Sequence, residues 1–487
     1  MRIGRRISAS ACLLALLAGC GGDGGGGGAA TTGGTAATPT PPATPAPTAA
    51  CSLADRKQWV SAQMREWYLF PETLPASLDP AGYPTLQDYV DALTATARAQ
   101  NKDRFFTYVT SIAEEDAFYR SGSSAGFGVR LSYDVSASRL FVAESFEDAP
   151  ALAVGIDRGT EILAIGTSTE SLRTVTALFQ AGGAQSVSEA LGPSDAGVSR
   201  LLRVRAPDGT QRDVTVAKSD FALAPVSSRY GVRIIDEGGR RVGYVNLRTF
   251  ISTADQALRD AFAQLRGAGV TEVIVDLRYN GGGLVSTAEL FGDLLGGNRS
   301  RSEVLSYTTF RPEKAAENDT RFFTPQPQSI APTRIAFIGT GGSASASELV
   351  INAFTPYLHS ASALIGTNTF GKPVGQIARD QTVCDDRLRV VAFATQNAAR
   401  QGAYYTGLAP VMEATCQAAD DLAFPLGDPR EASVRQALDF LAGRSCTRID
   451  GASATASAAR TRDVGVRRDL LTPDRPTTIQ REAPGAF

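Results

Sequence analysis

Two stretches of this chain repeat one pattern, in which a short apolar run breaks into glycines and small residues before an amphipathic run. Val273–Leu277 (VIVDL) ends in Arg278-Tyr279-Asn280-Gly281-Gly282-Gly283 and precedes Ser286–Leu295. Ile335-Ala336-Phe337-Ile338 leads into Gly339–Glu348 (GTGGSASASE) and then the helix-like run Glu348–Phe354. Ahead of both, Arg241–Phe250 (RVGYVNLRTF) reads as a strand. Thr253–Arg266 reads as a helix with Ala257, Leu258, Ala261, Phe262 and Leu265 on one face. Strand–helix–strand order predicts a parallel sheet, with the glycine loop at a strand's carboxyl end, where such sheets carry their sites. These glycines lack the G-x-G-x-x-G spacing of dinucleotide binding and the G-K-[ST] ending of a phosphate loop.

The second loop carries three serines, Ser343, Ser345 and Ser347. A serine that attacks a carbonyl needs a proton acceptor, and the chain has a single histidine, His359. Lysine offers another. Of 48 basic residues only Lys57, Lys102, Lys218, Lys314 and Lys372 are lysines. Arginine does not release its proton in proteins, whereas a desolvated lysine can act as a base. Lys372 lies in a Gly-flanked turn, Thr369–Gln376 (TFGKPVGQ), with Gln376 four residues on. A surface lysine in a turn is the plain alternative.

The segments GTGGSASASE and TFGKPVGQ resemble the two signatures of the carboxyl-terminal processing protease family, serine peptidases with a Ser–Lys dyad. The resemblance implies Ser345 as nucleophile, Lys372 as general base and Gln376 as the residue that orients it. It also implies a crotonase-like α/β catalytic core with a mixed or parallel sheet. Where the family has T-F-G-K-G-x-x-Q, this chain has Pro373 in place of the second glycine, and the stretch between the signatures is slightly longer. The Asp276–Gly283 run matches the family's D-L-R-x-N-x-G-G motif. By that match Gly282 or Gly283 supplies one oxyanion-hole N–H, and Ala346 the other. Glycine suits a backbone that a substrate carbonyl must approach to about 3 Å.

Two smaller units precede the core. Leu53–Ser121 reads as helix-rich, with Trp59, Met64, Trp67, Tyr68, Leu69, Tyr89, Val90 and Leu93 as core and Pro71–Pro84 as a loop. It corresponds to the helical amino-terminal domain of related proteases, residues 51–121 here. Residues 124–221 resemble a PDZ domain. Gly126-Phe127-Gly128-Val129 resembles the loop whose N–H groups hold a peptide's carboxylate. Ala149-Pro150-Ala151, Val154-Gly155-Ile156 and Gly159–Ile165 resemble the family's S-P-A-x-x-A-G-I…G-D-x-I-x-x-I run, with Thr160-Glu161 departing from Gly-Asp. Such a domain binds peptides by strand addition to a sheet edge. The serine peptidase core is expected over residues 222–446.

At the amino end, Arg2, Arg5 and Arg6 precede an apolar run from Ile7 to Ala18, too short to span a membrane and suited to a signal peptide over residues 1–19. Leu17-Ala18-Gly19-Cys20 resembles a lipobox, which implies lipidation of Cys20. With no aspartate at position 21, outer-membrane anchoring facing the periplasm is expected. Residues 20–50 form a Gly/Thr/Pro tether that cannot bury enough apolar surface to fold. Once Cys12 leaves with the signal peptide, Cys51, Cys384, Cys416 and Cys446 remain, and four cysteines allow three pairings. Because domain ends often lie close together, Cys51–Cys446 and Cys384–Cys416 is the expected set. One histidine and no C-x-x-C argue against a metal, and no cofactor is expected. The tail, residues 447–487, is rich in Ala, Arg, Asp, Thr and Pro with little periodicity and is expected to be disordered.

A net charge of −2 with no basic block argues against a nucleic-acid partner. The expected partners are protein or peptide substrates and, through the lipid, a membrane; the oligomeric state stays open. The sequence thus reads as a lipid-anchored serine endopeptidase. One rival is a peptide-binding protein without catalysis. Another is a Ser–His–Asp hydrolase built on His359, but neither G-x-S-x-G nor S-x-x-K surrounds Ser343, Ser345 or Ser347.

Overall fold

The computed structural model describes residues 51–449 and 468–487. At the amino end, helices α1 (Leu53–Trp67) and α2 (Leu86–Leu93) pack around Val60, Met64, Tyr68, Tyr89, Val90 and Leu93. Ser52 caps α1 by accepting from the Asp55 N–H, and Thr85 with Asp88 closes a capping box on α2. Strand β1 (Tyr108–Ser111) and helix α3 (Ile112–Ser121) follow, and α3 ends at Gly122 with φ +69°.

A seven-stranded antiparallel sheet comes next. Its main strands are β2 (Val129–Asp134), β3 (Arg139–Ser145), β4 (Glu161–Gly166), β5 (Ser199–Arg205) and β6 (Gln211–Ala217), joined in that order. Helix α4 (Val175–Leu191) packs on it through Val175, Leu178, Val187 and Leu191.

The central sheet has six strands. Strands β7 (Val232–Glu237) and β8 (Arg240–Asn246) pair antiparallel. From β8 the sheet runs parallel through β9 (Glu272–Asp276), β12 (Arg334–Gly339), β13 (Ser362–Gly366) and β16 (Ala414–Gln417). Their near-continuous apolar sequences, EVIVD, RIAFIG and SALIG, fit strands covered on both faces. Helices α5 (Ala254–Gly267), α6 (Val285–Leu295) and α7 (Ala346–Leu358) cover one face, and α8 (Ala432–Leu441) the other. On α5 the expected Leu258, Ala261, Phe262 and Leu265 are buried, with Ala254 completing the face and Ala257 half-buried. A second, antiparallel sheet joins β1, β10 (Val304–Phe310), β11 (Asp319–Phe322), β14 (Val374–Gln381) and β15 (Asp386–Gln396). Because β1 pairs with β15, the amino-terminal helices dock directly on the sheet that carries Lys372's neighbours.

Two expectations fail. The disulfides are Cys51–Cys384 and Cys416–Cys446. Cys51 opens the helical unit, which sits against the β14–β15 hairpin where Cys384 forms the turn, while Cys446 returns beside β16. Each cysteine thus pairs within the sheet against which it packs rather than across the ends of the folded region. Nor is the tail disordered over its last part: Arg468–Leu470 forms strand β17, paired antiparallel with β2, and Thr478–Glu482 forms helix α9. Its order comes from main-chain pairing with a distant sheet edge, which side-chain periodicity does not encode. The rest of the expected disordered tail, and Cys20 with its leader and tether, lie outside the described residues, apart from 447–449. Among the described residues no helix is long and apolar enough to cross a membrane.

Candidate active site

Ser345 sits between β12 and α7 with φ +54° and ψ −113°. A non-glycine residue held there costs on the order of 1–3 kcal/mol and persists only where its surroundings impose it. Here they do. The Ser345 N–H donates to Glu348 Oε2 at 3.1 Å, and the two residues form a capping box at the start of α7. The neighbouring serines hold the loop in place. Buried Ser343 donates from Oγ to the Leu277 carbonyl at 2.8 Å, and buried Ser347 donates to the Asn280 carbonyl at 2.8 Å. Ser345 is half-buried, and its hydroxyl donates to no described residue.

The glycine loop after β9 lies against this turn. Gly282 has φ +125°, and a Cβ there would stand 2.8 Å from Ser345 Cβ and 3.2 Å from Ala346 N, so only glycine fits. The Gly282 N–H is already taken, donating to Asn280 Oδ1 at 3.0 Å, whereas the N–H groups of Gly283 and Ala346 meet no acceptor among the described residues. Asn280 organises the loop: its Nδ2 donates to the Leu247 carbonyl, and its own carbonyl accepts from the Ala344 N–H.

Lys372 enters from the turn before β14. Its Nζ donates to Gln376 Oε1 at 2.8 Å, and Gln376 Nε2 in turn donates to the Phe106 carbonyl. The Phe106 ring lies 5.2 Å from the amine. No carboxylate forms an ion pair with Lys372 among the described residues, and burial pushes its pKa below the ordinary lysine value. No hydrogen bond joins Lys372 Nζ to Ser345 Oγ. The link is through Glu348, whose carboxylate also accepts from the Gly371 and Lys372 N–H groups at 2.7 Å each. Burial raises the pKa of Glu348 in spite of these donors.

Sequence reasoning brought Ser345, Lys372, Gln376 and the glycine loop to one place but assigned no role to Glu348 or Asn280. Glu348 stood in the quoted motif as the start of a helix, and Asn280 as a fixed letter of the glycine-loop motif with no role attached. His359 ends α7, is exposed, and hydrogen-bonds Glu413 at 2.8 Å on the surface. Gly126–Val129 lies elsewhere, beside the edge of β2. Among the described residues no cluster of three or more His, Cys, Asp or Glu side chains could hold a metal ion.

Residues 241–410 match the model of peptidase family S41, and residues 55–108 that of the peptidase S41 N-terminal domain. The chain is 27% identical to a carboxyl-terminal-processing protease of Picosynechococcus over 258 residues, 52% of this chain and 55% of that protein. It is 30% identical to carboxyl-terminal-processing peptidase 1, chloroplastic, of Arabidopsis thaliana over 233 residues, 46% of this chain and 42% of that protein. It thus spans about half the length of the curated relatives it matches. An S41 protease structure from Bacteroides fragilis superposes with a TM-score of 0.60 at 23% identity, covering 79% of this chain and 97% of that one, which is a likeness of fold. The chain thus carries a peptidase family S41 domain over residues 241–410 and a peptidase S41 N-terminal domain over residues 55–108, and the serine loop, the lysine turn and the glycine loop all fall within the first.

Proposed function

We propose that the protein is a serine endopeptidase in which Ser345 attacks a peptide carbonyl and neutral Lys372 takes the hydroxyl proton. The carrying observation is the division of labour among the three loop serines, of which only Ser345 keeps an undonated hydroxyl at a strained turn. Attack forms the Oγ–C bond. The Ala346 N–H, with Gly283 or a reoriented Gly282, stabilises the oxyanion. Lys372 then gives its proton to the departing amine as the C–N bond breaks, and water hydrolyses the acyl-enzyme with Lys372 again as base. Gln376 fixes the amine's direction.

We assign residues 51–121 to a helical unit, 124–221 to a PDZ-like unit and 222–446 to the catalytic core. In the PDZ-like unit the edge of β2 beside Gly126–Val129 receives peptide C-termini by strand addition. Two disulfides suit an oxidising compartment. Together with the leader and Cys20 they support a lipid-anchored protein facing the periplasm.

The test is Lys372→Arg, which keeps the charge but removes the base. It is assayed beside Ser345→Ala on an unfolded protein substrate, and both should lose turnover. Near-wild-type activity of Lys372→Arg would end the dyad reading. For the anchor, Cys20→Ser should leave the membrane fraction and lose lipid labelling; retention without labelling argues against a lipoprotein.

A further inference from the structure

The edge of β2 is already filled by this chain. Strand β17 pairs with it at Arg468↔Asp134, Asp469↔Tyr133 and Leu470↔Ser132. After α9 the chain returns to the same edge. The Leu131 N–H donates to the Gly485 carbonyl at 2.8 Å, and the Phe487 N–H donates to the Val129 carbonyl at 2.9 Å. The Gly128 and Val129 N–H groups both donate to the Phe487 carbonyl, at 2.9 and 3.2 Å. The Phe487 side chain is buried with Phe127, Val129, Leu131, Val187 and Leu191, between β2 and α4. Alternate residues pair and an apolar side chain is pocketed beside paired N–H donors, the pattern of an added peptide strand.

The same segment also lies on the catalytic loop. The Gly281 N–H donates to the Glu482 carbonyl at 2.9 Å, and a Cβ on Gly281 would come within 2.2 Å of the Arg481 carbonyl. Arg130 of β2 ties the two ends together, donating from Nη1 both to the Pro484 carbonyl and, at 3.0 Å, to the Tyr279 carbonyl. On the other side of the site a Cβ on Gly342 would meet Leu470 at 2.6 Å. The Arg481 guanidinium stacks 3.8 Å over Tyr108, and Tyr119 donates to the Glu482 carboxylate at 2.9 Å, so α9 also grips the helical unit. One segment therefore touches the β2 edge, the glycine loop, the serine loop and the amino-terminal helices.

We infer that Arg468–Phe487 is an intramolecular strap that occupies the peptide groove between β2 and α4, anchored by Phe487, and holds Glu482 on the catalytic glycine loop, so that a peptide gains the groove only by displacing it. The inference rests on reading the β2 edge as a peptide-binding groove. A competitor that must displace an occupied state binds with its affinity reduced by the fraction of open groove.

The test uses full-length chains and the pentapeptide Ala-Pro-Gly-Ala-Phe with a free carboxylate, which copies residues 483–487. Binding is measured by calorimetry in a Ser345→Ala background, so that it reads the groove without reference to peptidase activity. Phe487→Asp, which strips the anchor, should bind the peptide roughly tenfold or more tighter than the parent, from the burial a phenylalanine supplies. Leu470→Asp, which loosens β17 from the serine loop, should move affinity in the same direction. Hydrogen exchange at the Gly128, Val129 and Leu131 amides should be slow in the parent, fast in Phe487→Asp, and slow again on adding peptide. With Ser345 intact, Phe487→Asp should raise kcat/KM on an unfolded protein. Equal peptide affinity in parent and both variants, or slow exchange unchanged by Phe487→Asp, would overturn the strap. Tighter peptide binding by the variants without turnover by any Ser345-containing chain would instead sink the peptidase reading and leave the strap standing.

Discussion

Ser345 and Lys372 donate their backbone N–H groups to the same oxygen, Oε2 of Glu348, at 3.1 and 2.7 Å. The strained serine turn and the lysine turn, 27 positions apart in sequence, are thus set relative to one another by one buried carboxylate. Replacing it with glutamine presents an N–H group to a site built of donors, and each buried donor left unpaired costs about 1–3 kcal/mol. Glu348→Gln should fold but lower kcat by about 100-fold with KM little changed, because displacements near 1 Å are enough for such a loss. Steady-state kinetics beside near-ultraviolet circular dichroism checks this, and a wild-type kcat would remove Glu348 from any positioning role.

Alanine at the three serines should separate chemistry from scaffolding. Ser345→Ala should abolish turnover, at a stability cost limited to the α7 cap, about 0.5–2 kcal/mol. Ser343→Ala and Ser347→Ala each lose a buried hydrogen bond, worth about 0.5–1.5 kcal/mol, and should lower stability while retaining measurable activity. An active Ser345→Ala protein would move the nucleophile elsewhere in the loop.

Burial lowers the pKa of Lys372, and under the proposed mechanism a lysine base must be neutral to accept a proton. It follows that kcat/KM should rise with pH through one ionisation below lysine's ordinary value of about 10.4 and level off above it. Gln376→Ala should reduce the plateau without abolishing it, since the amide orients the amine. A profile that falls with rising pH across this range would contradict a neutral lysine base.

Glu144 on β3 is buried, which opposes its ionisation, yet Arg248 and Arg130 bring its pKa down to about 2. Arg248 follows β8, so this cluster joins the antiparallel sheet to the core. A carboxylate with a lowered folded-state pKa contributes stability above the unfolded value of about 4.3, lost as pH falls toward the folded value. Denaturant unfolding at stepped pH should show a loss on the order of 3 kcal/mol between about pH 4.3 and pH 2. Glu144→Gln should flatten that dependence, and an unchanged slope would show that other carboxylates govern acid stability.

The motifs around Ser345, Lys372 and Gly282 were legible because their backbone demands are local. A strand must break, a small-residue turn must form, and a helix must start, and each leaves its mark within a few residues. The parallel order of β8, β9 and β12 was legible for the same reason, through apolar runs alternating with amphipathic helices. Asn280 and Glu348 escaped because their work is to bond main-chain groups of other segments, which the sequence around them does not display.

Local pattern in the sequence thus determined where the strands break and put three serines and a rare lysine in small-residue turns, while the family resemblance singled out Ser345 and tertiary hydrogen bonds decided which serines are held. Tertiary structure alone decided that Cys51 meets Cys384 and Cys416 meets Cys446, because pairing depends on which elements dock. It also decided that Arg468–Phe487 is ordered. A strand added to the edge of β2 is held mainly by main-chain hydrogen bonds available to most residues, with Phe487 as a single apolar anchor. Composition and periodicity report side chains, and so they carry no mark of a segment whose order is supplied by the edge it joins.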